Sequence, residues 1–305
     1  MPESKFGIEI VPPNVEIFSE HLGTKSKFWY YIEEPNQKRR QVLFKYARPN
    51  TGEDWSEKLG AELGGLLGVS HAHIDLAEFK GKKGTISTSF VPRHGHLHHG
   101  NELLFGIDPA YPRAQLRGVH EHTVEAAGKA LAKVASLRGW GEMSWSRAFT
   151  GILALDAWIG NTDRHHENWG VIELSDGSYL LAPSYDHASS LGRELQEEAV
   201  RERLATNDQN RTPEGYATRA KSAFYAASGS QKPISPIAAL AEAKGLWPED
   251  VRHWRGCIGD VSTEKFTSIV NQIPSSRIAT CHREFVIRLL QRNKDEICRG
   301  RPSED

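Results

Sequence analysis

The stretch WIGNTDRHHENWG, residues 158–170, forms a dense polar loop between two structural elements of the 305-residue sequence. An apolar segment over residues 151–159 leads into it and predicts a buried helix, which Gly160 is expected to end. Two β-prone runs follow the loop, and the Asp-Gly turn within residues 175–178 predicts a β-hairpin over residues 169–182. The polar loop therefore connects a buried helix to a hairpin.

The hairpin brings separated polar residues together. A tight hairpin returns the chain close to its starting point, so Asp186, at the end of LAPSYD (residues 181–186), is expected beside Asp163 and Asn168. Side-chain oxygens that converge in this way suit Mg²⁺, which keeps substrate phosphates and water among its ligands. We therefore predict that Asp163 orients an acceptor hydroxyl and that Asn168 and Asp186 hold the metal during phosphoryl transfer. The alternative is that these side chains only cap turns, which is their commonest use.

The composition restricts the class of protein. Hydrophobic residues make up 38% and charged residues 25%, which predicts a packed globular core rather than disorder. The net charge of -1 gives no overall attraction to nucleic acid or to an anionic membrane, so neither is expected as a direct partner. The three cysteines have no CxxC spacing, and no apolar run fits a signal peptide or a membrane helix, so we expect a cytoplasmic protein.

The chain divides into a strand-rich first part and a mainly helical second part. Strands are predicted near residues 28–32, 41–47 and 84–91, with one helix over residues 54–67. The His- and Gly-rich segment 93–100 is predicted to be a solvated loop, because no Cys or carboxylate partner lies at metal-binding spacing. Further helices are predicted near residues 120–138, 143–159, 195–204, 235–245, 262–273 and 279–296.

The order of these elements predicts the fold. A small strand-rich lobe followed by a larger helical lobe is the outline of a bilobed protein-kinase-like fold of the α+β class, although other α+β proteins share that outline. The β-rich N-lobe is assigned to residues 1–92 and the mainly helical C-lobe to residues 93–305. Asp156, in the helix before the polar loop, is predicted to face the surface or to cap a neighbouring element.

Lys45 and Glu57 are candidates for a charged pair beside the loop. Lys45 lies on a predicted strand with apolar neighbours on its face, so it either snorkels to solvent or points at an anion in a cleft. Glu57 shares a helix face with small residues such as Gly60, which would let the helix approach a neighbour closely and bring its carboxylate near the Lys45 strand. A solvent-exposed Glu57 is the alternative, and Glu62 and Glu53 are the other carboxylates considered.

Two further segments are candidates for nucleotide binding. LGTKSKFW, residues 22–29, is a short Gly-containing loop with two lysines that runs into a strand and could lie over phosphates. The sequence has no GxxxxGKS/T motif, which disfavours a P-loop NTPase. In a kinase-like lobe, the strand that ends in Ser89, Phe90 and Val91 would flank an adenine.

Two motifs resemble those of a known kinase family. NTDRHHEN, residues 161–168, resembles the catalytic loop of HipA-like serine/threonine kinases, and its DRHxxN core is similar to the loop of phosphatidylinositol 3/4-kinases. LAPSYD, residues 181–186, resembles the HipA-like segment that supplies the metal-binding aspartate. The motifs occur in the family's order and separation, and the resemblance extends over about residues 22–290.

The resemblance implies an ATP- and Mg²⁺-dependent kinase that phosphorylates serine or threonine in a protein. It implies that Asp163 is catalytic, that Lys45 binds phosphates, and that His165 orients the loop or senses phosphate. It also implies autophosphorylation, for which Thr24 and Ser26 are the candidates; the added charge would weaken nucleotide binding. The implied nucleotide-binding residues are Gly23, Thr24, Lys25, Ser26, Lys45, Ser89, Phe90 and Val91, with Glu57 paired to Lys45 and with Asn168 and Asp186 as metal ligands.

The resemblance also implies partners for this protein, and the sequence leaves other functions open. HipA-like kinases often act as toxins restrained by an antitoxin, so the resemblance implies an antitoxin as a partner. The candidate phosphate loop starts near residue 23, so the additional N-terminal subdomain of longer family members is either absent or supplied by a separate chain. A lipid or small-molecule kinase stays open because of the DRHxxN core. A non-catalytic nucleotide-binding module is disfavoured, because Lys45, Asp163, Asn168 and Asp186 are all present.

Overall fold

The computed structural model describes residues 5–19, 26–33 and 39–299 of the chain. These residues form a six-stranded sheet, a four-stranded sheet and a set of helices, in the α+β arrangement predicted from the sequence. The strands are β1 (Ile8–Val11), β2 (Phe18–Ser19), β3 (Lys27–Glu33), β4 (Arg39–Tyr46), β5 (Ile74–Phe79), β6 (Lys82–Thr88), β7 (His96–His99), β8 (Leu137–Arg138), β9 (Gly170–Glu173) and β10 (Tyr179–Leu181). The helices are α1 (Glu53–Leu67), α2 (Gly100–Ile107), α3 (Val124–Lys133), α4 (Trp145–Ile159), α5 (Glu197–Ala205), α6 (Pro213–Ala217), α7 (Pro236–Leu246), α8 (Pro248–Asp260), α9 (Thr263–Gln272) and α10 (Thr280–Cys298). Within the described residues, no helix is both long enough and apolar enough to cross a bilayer.

The six-stranded sheet curls around an aromatic core of its own. Its strand order is β1-β5-β6-β4-β3-β2, with β1 parallel to β5 and the other neighbours antiparallel. Although β1 and β3 are not adjacent, Val11 packs with Phe28 and Tyr30 in one buried cluster that also contains Phe44 and Phe79. The centroid of the Phe28 ring lies 4.9 Å from that of Phe79 and 5.2 Å from that of Phe44, which are favourable aromatic distances. Curling therefore buries these rings without help from the helical part.

Helix α1 packs between the six-stranded sheet and the helices of the second part. Trp55, Leu59 and Leu63 form an apolar stripe that is buried in the same core cluster as Leu155 and Ile159 of α4. The same helix contacts β5 and β6 of the sheet and also α8 and α9. The helix predicted from the sequence is confirmed, and α1 joins the two parts.

Helix α4 lies at the centre of the second part. Its residues 148–159 are all buried, so it has no solvent-facing side over this length. The Trp158 indole donates to the Leu290 carbonyl oxygen of α10 at 3.2 Å, and the Trp254 indole of α8 donates to the Arg147 carbonyl oxygen at 2.7 Å. Neighbouring helices therefore hold α4 on several sides, and this fixes the start of the polar loop that follows it.

Several elements depart from the sequence predictions. The segment predicted to be a solvated loop contains β7, which pairs antiparallel with β9, and His98 Nε2 lies 2.8 Å from Glu173 Oε2 across that pair. A run of histidines has no apolar alternation, so its pattern does not indicate a strand that is held by backbone pairing. The other elements that were not predicted are β1, β2, β5, β8, α2, α6 and α8, and β8 lies within the helix predicted over residues 120–138, because α3 ends at Lys133. The other predicted helices and strands are present with ends shifted by a few residues.

Candidate active site

The predicted hairpin is present and returns the chain to the polar loop. Strands β9 and β10 pair antiparallel, and the turn between them holds Gly177 at φ 77°, a conformation that favours glycine. A backbone N–H of this turn donates to Asp176 Oδ1 at 2.9 Å, which supports the turn. Beyond the hairpin, Asp186 lines the same cavity as Asp163 and Asn168. The structure therefore brings these three residues together.

The guanidinium of Arg164 joins the polar loop to the segment before Asp186. It forms a bidentate ion pair with Asp156, from Nε to Oδ2 at 2.7 Å and from Nη2 to Oδ1 at 2.8 Å. Its Nη1 donates to the carbonyl oxygens of Asn168 at 2.7 Å and Tyr185 at 2.6 Å. Burial opposes the charged form, but the charge and hydrogen bonds of Asp156, together with the nearby Tyr185 and Asp186, raise the pKa of Arg164. The prediction that Asp156 faces the surface or caps a neighbour is wrong, because its carboxylate is buried against Arg164.

A cavity of about 480 Å³ lies between the six-stranded sheet and the polar loop, a size typical of small-molecule sites. Asp163, Asn168 and Asp186 line it from the helical part, and Lys45 of β4 lines it from the sheet. Lys45 Nζ lies 3.4 Å from Asp186 Oδ1. Asn168 Nδ2 donates to the Asp163 carbonyl oxygen at 2.6 Å, which turns the amide oxygen of Asn168 away from that carbonyl. These four residues thus bring two carboxylates, an amide and an ammonium group to the cavity.

Asp186 has a left-handed backbone conformation. Its φ is 59°, in a region that residues other than glycine rarely adopt, although aspartate tolerates it better than most. Hydrogen bonds hold the chain on both sides of it: the Tyr185 carbonyl oxygen accepts from Arg164, and the Ala188 N–H donates to Glu57. Strained backbone that is held in this way occurs mainly at functional sites. The conformation is therefore a second reason, besides the cavity, to place function at Asp186.

Glu57 of α1 contacts the segment that follows Asp186. Its Oε2 accepts the backbone N–H of Ala188 at 2.7 Å. Its Oε1 makes no hydrogen bond to the described residues and lies 3.8 Å from His187 Nδ1. Burial lowers the pKa of His187 well below its usual value, so the ring facing this carboxylate is neutral. Glu57 and Lys45 line the same cavity, and their pairing stays a prediction.

Glycines on α1 allow this close approach. A Cβ added at Gly60 would lie 2.4 Å from the Cβ of His187, and one added at Gly64 would lie 3.1 Å from a methyl group of Leu155. The sequence predicted that small residues would let this helix approach a neighbour closely. The neighbours in contact are the segment after the hairpin and α4, so the glycines fix α1 against the helical part.

The other end of the cavity is apolar. Ser89, Phe90 and Val91 line it together with Leu43 of β4. The Phe90 ring stacks on Tyr185 with centroids 5.3 Å apart and an interplanar angle of 28°. A flat apolar surface of this kind suits a heteroaromatic ring such as adenine.

The predicted phosphate loop is described only at its end. Gly23, Thr24 and Lys25 lie outside the described residues. Ser26 is exposed, and its carbonyl oxygen accepts the backbone N–H of Tyr46 at 3.1 Å. The end of the loop is therefore paired with β4, the strand that carries Lys45.

His99 is a cavity residue that sequence reasoning missed. Its Nδ1 lies 2.8 Å from the Glu167 carbonyl oxygen and 3.1 Å from the Tyr185 hydroxyl, which donates to the same carbonyl at 2.8 Å. Because a carbonyl oxygen only accepts, His99 donates to it from Nδ1. The His-rich run was the available signal, but the pairing of β7 with β9 that directs His99 into the cavity is not visible in the local pattern.

Three histidines around the loop are neutral. The Trp169 indole can only donate, so His122 Nε2 accepts from it at 3.1 Å and His122 Nδ1 donates to the Ala223 carbonyl oxygen at 2.9 Å. Burial lowers the pKa of His122 to about 3 and that of His166 to about 4. Burial also lowers the pKa of His165, against the opposing effect of nearby carboxylates, and this residue lines the cavity. His165 can therefore accept a hydrogen bond in the cavity without adding charge to it.

The donor set fits a hard divalent cation. Asn168 and Asp186 place an amide and a carboxylate in the cavity, and Asp186 already has the Lys45 ammonium 3.4 Å from one of its oxygens. Mg²⁺ is usually bound through one or two carboxylates together with substrate phosphates and water. In the part of the chain that the structure describes, no group of three or more His, Cys, Asp or Glu side chains could hold a metal ion. These residues fit a metal that binds together with a phosphate-bearing substrate.

A curled sheet above a helical part, with a polar loop and a hairpin between them, is the architecture of a bilobed kinase-like fold. Solved structures share it. The chain is similar to the proinflammatory kinase CtkA of Helicobacter pylori, with a TM-score of 0.72 and 18% identity over 93% of this chain and 94% of that chain. It is also similar to HipA of Shewanella oneidensis MR-1, solved with HipB and operator DNA, with a TM-score of 0.56 and 12% identity.

The likeness is one of structure. No family model and no curated protein matches the sequence. The match to HipA covers 92% of this chain but 64% of that protein, so the chain spans less than two thirds of its length. At these identities the comparisons establish the fold, and the chain therefore has the HipA-like kinase fold.

Proposed function

We propose that this chain is an ATP- and Mg²⁺-dependent kinase that transfers the γ-phosphate of ATP to a serine or threonine hydroxyl of a protein. One observation carries the proposal: Lys45, Asp163, Asn168 and Asp186 line a single cavity. Phosphoryl transfer depends on a cation that binds the phosphates, on metal ligands and on a carboxylate that orients the nucleophile. The kinase fold shared with CtkA and HipA supports the same reading.

Each cavity residue has a role that suits its chemistry. Asn168 and Asp186 would hold Mg²⁺, which neutralises charge on the β- and γ-phosphate oxygens when bound. Lys45, now 3.4 Å from Asp186, would donate to phosphate oxygens. Asp163 would orient the acceptor hydroxyl and accept its proton while the new oxygen–phosphorus bond forms and ADP leaves.

The surroundings of Asp163 fix its backbone for this role. Its N–H donates to Asn161 Oδ1 at 3.1 Å, and its carbonyl oxygen accepts from Asn168 Nδ2 at 2.6 Å. Asn161 in turn donates to the buried Asp156 carboxylate at 2.9 Å. These contacts hold the backbone of Asp163, which supports an orienting role for its carboxylate in the cavity.

We propose that the nucleotide lies along the length of the cavity. Its adenine would bind at the apolar end formed by Ser89, Phe90 and Val91, where Phe90 stacks on Tyr185. Gly23, Thr24, Lys25 and Ser26 would cover its phosphates, and Glu57 would pair with Lys45. In this arrangement the N-lobe is residues 1–92 and the C-lobe is residues 93–305.

Transfer of labelled phosphate tests the proposal. The protein is incubated with γ-labelled ATP, Mg²⁺ and host lysate, and mass spectrometry locates the phosphate on its acceptor. Asp163→Ala and Asp186→Ala should each reduce transfer by at least about 100-fold, because one removes the base and the other a metal ligand. Asp176→Ala is the matched control, since this aspartate lies exposed at the tip of the hairpin and outside the cavity.

The results of this experiment test the role of each aspartate and identify the class of acceptor. Near-normal transfer by a folded Asp163→Ala or Asp186→Ala protein would remove that residue from the mechanism. Phosphate found on a lipid or a small molecule, rather than on a protein hydroxyl, would point to the alternative class of kinase.

We further propose that this chain binds a protein partner in the cytoplasm. HipA was solved together with HipB and operator DNA as a toxin–antitoxin system. The corresponding partner here would be an antitoxin or a chain that supplies an N-terminal subdomain. Affinity purification from the host, followed by mass spectrometry, should recover one stoichiometric protein; recovery of the chain alone would count against this proposal.

Autophosphorylation at Thr24 or Ser26 is a further proposal. Phosphate at either residue would repel the phosphates of bound nucleotide and weaken its binding. Intact-mass measurement after long incubation with ATP and Mg²⁺ should show one added phosphate in this loop. Phosphate mapped elsewhere, or none at all, would contradict it without touching the kinase proposal.

A further inference from the structure

A second cavity, of about 330 Å³, adjoins the candidate nucleotide cavity. Leu116, Arg117, Asp163 and His165 line both cavities. The rest of the second lining comes from the helical part of the chain, and none of the residues that line it belongs to the six-stranded sheet. The two cavities therefore meet at Asp163.

The position of the second cavity suits the group that receives the phosphate. Lys45, Asn168 and Asp186 line only the first cavity, so the phosphates of the nucleotide belong there. An acceptor must approach the γ-phosphate from a direction that the nucleotide does not occupy, and Asp163 must reach its hydroxyl. The second cavity provides that direction. The acceptor oxygen then bonds to the γ-phosphorus, its proton passes to Asp163, and the bond from the γ-phosphorus to the oxygen of ADP breaks.

The lining of the second cavity contains two guanidinium groups and one carboxylate. Arg117 is exposed, and its guanidinium makes no hydrogen bond or ion pair with the described residues. Arg193 lines the cavity as well and is paired with Glu53 at 2.9 Å. Asp163 is the one carboxylate among the described residues that line it. An anionic ligand would be attracted here, and Arg117 is available to bind it.

We propose that the second cavity binds the phosphoryl acceptor and selects a segment in which the serine or threonine hydroxyl lies near an anionic group held by Arg117. This inference rests on the proposed kinase function and names the substrate class of the same site. The anionic group is either the carboxylate of an aspartate or glutamate, or the phosphate of an already phosphorylated side chain. A guanidinium binds both with charge-assisted, bidentate hydrogen bonds.

Peptides with a single serine and one variable neighbouring residue test the inference. The neighbour is aspartate, phosphoserine, alanine or arginine, and comparison of the first two distinguishes the sources of the anion. In the wild type, kcat/KM for an anionic peptide should exceed that for the alanine peptide by about fivefold or more, and the ratio should fall as salt is added. Arg117→Glu should invert the order, so that the arginine peptide becomes the best substrate.

Arg113→Glu is the matched control for charge reversal in this loop. Arg113 is exposed, lies over the Phe105 ring at 4.3 Å and lines neither cavity, so its variant should keep the wild-type order of peptides. Equal kcat/KM for all four peptides in the wild type, or an unchanged order in Arg117→Glu, overturns the inference and leaves the kinase function standing. Failure to transfer phosphate to any peptide or lysate protein overturns the proposed function, and this inference with it.

Discussion

The Asp156 carboxylate and the Arg164 guanidinium are both removed from water, with side chains 5% and 1% exposed. Burial of two charges costs several kcal/mol per ion, so such a pair is stable only when its hydrogen-bonding groups are used. Arg164 uses all three of its nitrogens, on Asp156, on the Ser184 hydroxyl and on the carbonyl oxygens of Asn168 and Tyr185. These bonds hold together the two chain segments that carry the candidate metal ligands.

Arg164→Lys should lower the free energy of unfolding by about 3 kcal/mol. An ammonium group cannot reproduce the bidentate contact with Asp156 and leaves buried acceptors without donors. Urea denaturation at fixed pH measures the loss. Arg288→Lys is the matched control, because its bidentate pair with Glu214 has side chains 35% and 39% exposed and should cost less than about 1 kcal/mol. Equal losses in the two variants would show that burial is not what makes the Arg164 pair important.

Residues differ in how far the sequence predicts their positions. Lys45, Asp163, Asn168 and Asp186 could be placed near one another because strand alternation and a tight turn are local rules. Asp156 could not be placed. Its helix is buried on all sides, so helical periodicity gives it no face, and its partner lies beyond the end of the helix.

Among the elements, α1 sets the spacing between the sheet and the helical part. Its glycine face lies against the segment after the hairpin and against α4, while its apolar stripe is buried in the main core. Two buried contacts accompany this packing: Glu57 with the Ala188 N–H, and Ser56 with the Ser190 carbonyl oxygen. A side chain larger than hydrogen on the glycine face would therefore disturb both of these hydrogen bonds.

Gly60→Ala should lower the free energy of unfolding by about 1–3 kcal/mol, because its methyl group would lie 2.4 Å from the Cβ of His187 and would push α1 outward. The rate of phosphoryl transfer should also fall, because the outward movement of α1 moves Glu57. Gly245→Ala in α7 is the control: nothing lies within 4 Å of its added Cβ, so stability should rise by up to about 1 kcal/mol. Thermal unfolding and phosphate transfer report the two effects. A stabilised Gly60→Ala protein would contradict the close approach.

Several elements that follow from a local pattern were predicted, whereas strand β7, which depends on a distant partner, was not. Helix α4 and the hairpin of β9 and β10 follow from apolar runs and an Asp-Gly turn. Strand β7 is polar, and its pairing with β9 joins segments far apart in sequence. Its histidines could therefore be noticed in the sequence, but their place in the cavity could not be derived from it.

For the whole molecule, buried histidines make stability depend on pH. Burial lowers the pKa of His122 to about 3, that of His166 to about 4, and that of His187 well below the usual value. Above about pH 6.5 neither the folded nor the unfolded chain protonates these rings. Below about pH 6.5 these histidines are protonated in the unfolded chain but stay neutral in the folded chain. The free energy of unfolding therefore falls as the pH falls.

The expected slope is up to about 1.4 kcal/mol per pH unit for each of these histidines between about pH 6.5 and pH 4. His122→Gln keeps one acceptor and one donor but does not titrate. The slope of its free energy of unfolding against pH should therefore lack the contribution of one histidine. His94→Gln, at an exposed position, should keep the wild-type slope. Urea unfolding at several pH values gives the three slopes. A His122→Gln slope equal to that of the wild type would mean that His122 is protonated in the folded protein.

Nucleotide and metal should stabilise the whole molecule together. ATP alone should raise the melting temperature slightly, and ATP with Mg²⁺ should raise it more, with about 2.7 kcal/mol expected at a concentration 100-fold above Kd. Asp186→Asn should lose most of the metal-dependent part, because the ligand loses its charge. Thermal unfolding with and without Mg²⁺ measures both parts. A metal-dependent shift of equal size in this variant would place the metal elsewhere.

The space open to an inhibitor of this protein is limited where α1 is hydrogen-bonded to the segment after Asp186. Glu57 Oε2 accepts the Ala188 N–H at 2.7 Å, and Ser56 Oγ donates to the Ser190 carbonyl oxygen at 3.0 Å. A compound that extended behind Asp186 would have to displace α1 and break these buried bonds, whereas a compound confined to the apolar end would break none. Tight-binding compounds are therefore expected to stay within the cavity and to leave α1 in place.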